Sequence, residues 1–252
     1  MFIDYYWIFS DECKMYVLFP PHSVMKAVVH RIAYGDWYAH GYTWIRREFD
    51  TWLLARLDQL IDGCLIDEPK TWKYIKRLVL NKKIVSILDI GAHIGGYSVV
   101  LGRRISGVAV EPMPDTFKIL TYNILVNHSN IKALNMAVYD GATSTVKLCR
   151  SPYHSGADFI SDEGDIEVPQ TTLNDLWNKY GPFDLVKVDV EGAEDKIFTS
   201  TEIDPKYLVV EVRSRTWPLV RELISRSYRI VFVEKLIRSK KVFNVFLEHY
   251  IK

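Results

Sequence analysis

The pattern of hydrophobic and polar positions changes once along the chain. Up to about residue 80 it is irregular. The run YVLF at 16–19 meets a Pro20-Pro21 break, and VMKAVVHRIAYG follows at 24–35. Apolar and β-branched stretches bounded by turn residues predict short strands or hairpins. Phe49, Leu53, Leu54, Leu57 and Leu60 recur at helical spacing and predict a helix over 46–61. A second helix is expected over 69–80, with Pro69 near its start.

From Ile84 onward, short apolar runs alternate with longer amphipathic ones. IVSILDI (84–90), GVAVE (107–111), IKALNMAV (131–138), FDLVKVDV (183–190) and KYLVVEVR (206–213) read as buried strands. Helices are expected after the 91–96 turn, over 114–127, over 171–180 with Thr171 or Thr172 as cap, and over 218–227. YRIVFVEK (228–235) and KVFNVFLEH (241–249) read as an antiparallel pair around 238–240. This alternation specifies an α/β fold, a mostly parallel sheet with one antiparallel strand inserted. The expected organisation is an N-terminal α+β extension over 1–80 and an α/β domain over 81–252.

Composition narrows the class. The chain has 252 residues, 48% hydrophobic and 25% charged, which suits a globular protein and excludes a disordered tail, a collagen-like repeat and a coiled coil. No run of 18 uncharged apolar residues is present, so no membrane helix is expected. The 32 basic and 31 acidic residues leave a net charge of +1, which is no strong nucleic-acid signature. Cys13, Cys64 and Cys149 form no C-x-x-C pair and fit a reduced compartment. The start MFIDYYWIFSDE lacks a basic region and a cleavage site, so a cytoplasmic location is expected. Fourteen of the 33 aromatic residues fall within the first 52 positions. Three readings of that excess stay open: packing against the sheet, a substrate lid, and a homodimer surface.

Ligands of open α/β sheets bind at the carboxyl ends of the strands, and three such ends carry suggestive residues. The first is Asp89-Ile-Gly91-Ala92-His93-Ile-Gly95, whose glycines permit a tight turn and close approach of a ligand. Its D-x-G-x-x-x-G spacing differs from the dinucleotide G-x-G-x-x-G and argues against a nicotinamide cofactor. The second is Glu111-Pro112, where a carboxylate 20 residues past Gly91 suits the two hydroxyls of a ribose. The third is Lys187-Val-Asp189-Val-Glu191-Gly192, whose alternate residues face one side of the sheet. A Lys187–Asp189 pair there is either a salt bridge or part of a site that deprotonates a substrate hydroxyl.

The segments ILDIGAHIGGYSVV, VAVEPMPDTFKILTYNILVN, AVYDG, TTLNDLW and FDLVKVDVEGAE together resemble the FkbM family of S-adenosylmethionine-dependent methyltransferases. The likeness covers roughly residues 84–213, and LVKVDVEGAE is its most specific part. It implies a Rossmann-like fold with a seven-stranded sheet, S-adenosylmethionine as cofactor, and O-methylation of a hydroxyl on a sugar or other small metabolite. It places Asp89, Gly91, Ala92 and Gly95 around the methionine part, with His93 giving backbone contacts. It places Glu111 on the ribose, Asn135 and Ala137 at the adenine, and Asp189, Glu191 and Gly192 beside the transferable methyl. The family more often has Asn at position 93 and His at 213, where this chain has His93 and Arg213. His154, in the loop 153–157 placed over the substrate, is a candidate base near neutral pH. No metal site is expected; magnesium on Asp189, Glu191 and an outside ligand is an unsupported alternative. A methyltransferase acting on RNA or protein, and a non-catalytic cofactor-binding module, are the competing readings.

Overall fold

Seven strands form the central sheet of the computed structural model, which describes residues 17–18, 42–56, 59, 68–151, 156, 158–198, 201–236 and 241–250. In chain order the strands are β1 (Val17–Leu18), β2 (Tyr42–Arg47), β3 (Thr51–Arg56), β4 (Ser86–Ile90), β5 (Ser106–Val110), β6 (Ile131–Leu134) and β7 (Ala137–Val138). They continue with β8 (Thr145–Cys149), β9 (Phe159–Ile160), β10 (Ile166–Thr171), β11 (Leu185–Val188), β12 (Tyr207–Arg213), β13 (Tyr228–Lys235) and β14 (Val242–His249). The helices are α1 (Pro69–Leu80), α2 (Ser98–Leu101), α3 (Pro114–Val126), α4 (Leu173–Tyr180), α5 (Glu194–Ile197) and α6 (Trp217–Ser225).

The central sheet runs β13-β14-β12-β11-β4-β5-β6. The strands β12, β11, β4, β5 and β6 pair in parallel, and β14 pairs antiparallel with both β12 and β13. The expected single antiparallel insertion is therefore β14. The order reverses between β4 and β11, so the crevice at the carboxyl ends opens there. Both faces are covered, which is why the strands read as continuous apolar runs. One face packs Ile87, Ala109, Leu185, Val209 and Phe246 against α1 and the segment 94–101. The other packs Leu88, Val110, Val186, Val210 and Val245 against α4 and α6.

The helix expected over 46–61 is not formed. Residues 42–56 make the β2–β3 hairpin, and 57–58 and 60–61 lie outside the described residues. Phe49 and Asp50 take φ of 55° and 56°, which turns the chain. Beyond the turn, burial alternates along β3, with Thr51, Leu53 and Ala55 inside. The helical spacing counted Phe49 and Leu54, whose side chains stay partly exposed. IKALNMAV also divides: β6 ends at Leu134, and β7 joins a separate sheet in the order β7-β10-β8-β9. Most of that second sheet has no apolar run long enough to announce it.

Two asparagines on α3 hold the hairpin in place. Asn123 accepts from the Leu54 N–H at 2.7 Å and donates to the Leu54 and Ile94 carbonyls at 3.0 and 2.9 Å. Asn127, one turn on, accepts from the Trp52 N–H and donates to the Trp52 carbonyl, both at 2.7 Å. The amides thus serve strand β3 as a neighbouring strand would, and they blunt its edge. At the start of α1, Glu234 on β13 accepts from the Lys70 and Thr71 N–H groups at 2.7 Å each. A strand carboxylate thereby caps a helix whose Pro69 already removes one orphan donor.

Asn123→Ala leaves a β3 N–H and two carbonyls without partners in a buried setting. We expect a loss of about 2–3 kcal/mol in unfolding free energy, measured by urea titration. A change under about 0.5 kcal/mol would mean that the hairpin is held by apolar packing alone.

Candidate active site

The carboxyl ends of β4, β5 and β11 meet at one cleft. Its walls include Gly91, His93, Glu111, Pro112 and Met113 on one side and Asp189, Val190 and Glu191 on another. The second sheet closes it with Met136, Ala137, Val138, Leu148, Asp158 and Ile160. The loop after β4 turns sharply because Gly91 takes φ +77°. A Cβ there would lie 1.8 Å from the Asp189 carbonyl oxygen, so only glycine lets the β4 and β11 ends approach. The Gly91 and Ala92 N–H groups both donate to the Val110 carbonyl at 3.0 Å, which ties the loop to β5.

Glu111 follows β5 and is buried. Its two oxygens accept from the His93 and Met113 N–H groups, each at 2.9 Å. His93 thus contributes through its backbone, at φ 51°. Burial pushes the Glu111 carboxyl up to about 8, against the opposing pull of the Met113 and His93 N–H groups. Asn135 is not on the cleft wall. Its amide donates to the Glu111 and Pro112 carbonyls at 2.9 Å and fixes the backbone beneath the glutamate. Asp89 is also off the wall, buried behind the loop, where Oδ2 accepts from the Ser98 N–H at 3.2 Å.

The β11 residues form a charged row on the face that α1 covers. Lys187 is 3% exposed and lies in register with Asp89 on β4. Its Nζ donates to Asp189 Oδ2 at 2.8 Å and sits 5.0 Å from the centre of the Tyr97 ring. Burial alone would lower the Lys187 ammonium, but Asp189, Glu68 and Asp89 reverse this and hold it above its ordinary value. Burial likewise works to raise Asp189; the Lys187 ammonium outweighs it and keeps the carboxyl low, hence ionised. Glu191 does not join the Lys187 pair. Its backbone turns at φ 58°, and its carboxylate pairs with Arg213, which also donates to Glu211 at 3.1 Å. Burial, then the Asp189 and Glu191 charges, push the Glu211 carboxyl well above its ordinary value, against the pull of Arg213.

Asp189, Glu191 and Glu211 each bring one carboxylate oxygen within 4.8 Å of the others. Among them lie Lys187 on Asp189 and Arg213 on the two glutamates, so each carboxyl of the group is already paired with a protein cation. His154 lies outside the described residues. Sequence reasoning missed Asp158, whose Oδ1 accepts from the Ser151 N–H at 2.7 Å while Oδ2 is buried without a partner. No spacing marks it, because the preceding sequence SPYHSGA carries no hydrophobic period. It also missed Glu68, Tyr97 and Asn244, which reach the charged row from other elements.

The sheet order and the strand-end cleft define the Rossmann-like methyltransferase fold. The methyltransferase domain of METTL16 shares it, with a TM-score of 0.51 at 12% identity over 91% of this chain and 79% of that one. The family model of the FkbM methyltransferase domain matches residues 89–232, and the chain belongs to that family. Two relatives are 26% identical to it: methyltransferase sdnD of Sordaria araneosa and hexuronic acid methyltransferase AglP of Haloferax volcanii. These alignments cover 52% and 60% of this chain and 66% of each relative, just under two thirds.

Lys187→Met should expose the cost of the charged row. It leaves buried carboxylates without their ammonium, and we expect about 3–5 kcal/mol of destabilisation at pH near 7. Without the lysine, the folded-state carboxyls lie above their unfolded values. The variant's penalty therefore grows as pH rises above about 4 and shrinks as they protonate below it. Urea unfolding at about pH 5 and about pH 7.5 measures this; an equal penalty at both would contradict it.

Proposed function

We propose that the chain is an S-adenosylmethionine-dependent O-methyltransferase acting on a hydroxyl of a sugar or other small metabolite. The carrying observation is that an ionised carboxylate, Asp189, faces the same cleft as the ribose-suited Glu111. The residues present fit the cofactor. The glycine loop leaves room for close backbone approach, and Glu111 offers two oxygens at the position of a ribose. The buried, unpartnered Asp158 Oδ2 suits an amino donor such as that of adenine, beside Met136 and Ala137. When bound, the cofactor supplies a methyl group on a sulfonium, open to in-line displacement by an oxygen.

Against such an electrophile the protein mainly positions the partners. Asp189 accepts the hydrogen bond of the acceptor hydroxyl and takes its proton as the carbon–oxygen bond forms. Lys187 keeps Asp189 ionised for this. Glu191, clamped by Arg213, offers a second acceptor to a neighbouring hydroxyl. The carboxylates of Asp189 and Glu191 on the cleft wall suit a hydroxylated acceptor, and the name of AglP, a hexuronic acid methyltransferase, supports a sugar. The net charge of +1 gives no support to an RNA substrate.

The reading is tested by methyl transfer from labelled S-adenosylmethionine to a panel of neutral glycosides, uronic acids, protein and RNA. Transfer to a neutral glycoside hydroxyl is expected. Transfer confined to RNA or protein, or none with cofactor bound, overturns it. Glu111→Ala removes two carboxylate acceptors, and we expect cofactor affinity to fall roughly 10- to 100-fold by calorimetry. An unchanged affinity removes the ribose assignment. Asp189→Asn should slow transfer by about 100-fold or more while cofactor affinity shifts by less than about fivefold. Full activity in that variant would end its role as proton acceptor.

A further inference from the structure

Glu68 stands just ahead of α1 and outside the residues matched by the family model. It occupies the N-cap position, yet its side chain makes no capping bond. That work is done by Glu234, which takes the Lys70 and Thr71 N–H groups. The Glu68 carboxyl turns instead toward the carboxyl end of the sheet, where the Asn244 amide on β14 donates to it. Asn244 is itself in register with Glu211 on β12. Lys187 and Asp189 on β11 act on Glu68 electrostatically, and the Tyr97 hydroxyl faces it outside hydrogen-bond geometry. Glu234 adds a further negative charge near Tyr97. A carboxylate from the N-terminal side of the chain thus completes a group in which Asp89, Asp189 and Glu68 share one ammonium, Lys187.

We propose that Glu68 is a positioning residue of the methyl-transfer centre: acting through Lys187, its negative charge sets how strongly the cleft prefers the sulfonium cofactor over the neutral thioether product. The inference rests on the cofactor reading above. When Glu68 is ionised its charge adds to that of Asp189 against the one ammonium, and negative charge is in surplus. Arg213 also acts on Asp189, but its ion pairs are with Glu191 and Glu211, and it is not among the charges that act most strongly on Glu68. A cofactor bearing a positive sulfonium beside Asp189 is favoured by this surplus, and its uncharged product is not. Transfer therefore removes the charge that Glu68 helped to hold, and the site loses its preference for what remains. Burial raises the Glu68 carboxyl to about 7, with Lys187 pulling it down and Asp189 pushing it further up. Its charge consequently appears as pH rises through neutrality.

The test is calorimetric titration with S-adenosylmethionine and S-adenosylhomocysteine at about pH 6, 7 and 8, on the wild type, Glu68→Gln and Glu68→Asp. The ratio of the two dissociation constants is read, because Glu111 and Asp158 meet the same ribose and adenine in both ligands. In the wild type, preference for the sulfonium ligand should rise about three- to tenfold from about pH 6 to about pH 8. In Glu68→Gln it should be flat, and in Glu68→Asp the rise should be reduced. Circular dichroism establishes that each variant is folded; should Glu68→Gln not fold, the aspartate variant decides. A wild-type ratio that does not change with pH, or the same rise in the variants, overturns the proposal while leaving the cofactor reading intact. Failure of the folded wild type to bind either ligand overturns both.

Discussion

The structure of the site turns on one buried ammonium. Lys187 lies within an apolar sheet, where an unpaired charge would cost several kcal/mol. It is tolerated because Asp189 meets it at 2.8 Å and Asp89 lies in register beside it. The consequence for Asp189 is chemical. A carboxyl at the mouth of a cleft, otherwise subject to desolvation, is kept ionised at neutral pH. The ring of Tyr97 covers the lysine and seals the row from the apolar layer beneath.

The rest of the fold holds that row at the right place. Parallel strands β4, β5 and β11 bring three loops to one edge, and Gly91 lets two of them touch. The same edge divides into two electrostatic regions. Around Glu111 the contacts are backbone N–H groups from the neighbouring loops, which suit a neutral, hydroxylated ligand part. Around Asp189 they are lysine, arginine and carboxylates, which suit charge and proton transfer. Residues 42–56 and 68–80 are not a separate layer. Ile45, Leu53, Trp72 and Ile75 share one apolar core with β4, β5 and β11, and the two α3 asparagines lock the hairpin there.

The central sheet was legible because a strand buried on both faces leaves a continuous apolar run, and β14 betrayed itself by its hairpin partner. Glu111 and the Lys187–Asp189 pair were legible for the opposite reason: charges at the ends of such runs are conspicuous. The β2–β3 hairpin was misread because Phe49, Leu53 and Leu54 satisfy helical spacing, while the turn at Phe49 and Asp50 contains no glycine or proline. The second sheet was invisible, since strands as short as β7 and β9 carry no periodicity. Arg213 was noticed only as a departure from the family pattern; its contact with Glu191 depends on a left-handed backbone at 191 that sequence does not announce. Glu68 and Asp158 depend on contacts between distant segments, and neither sits in a motif.

One ligand should bridge the two regions of this cleft. A crystal structure of the protein with S-adenosylhomocysteine tests it most directly. Ribose hydroxyls are expected within hydrogen-bond distance of both Glu111 oxygens, the base beside Met136 and Asp158, and the sulfur on the Asp189 side of Gly91. A ligand bound away from Glu111, or one whose sulfur points away from Asp189, would contradict it.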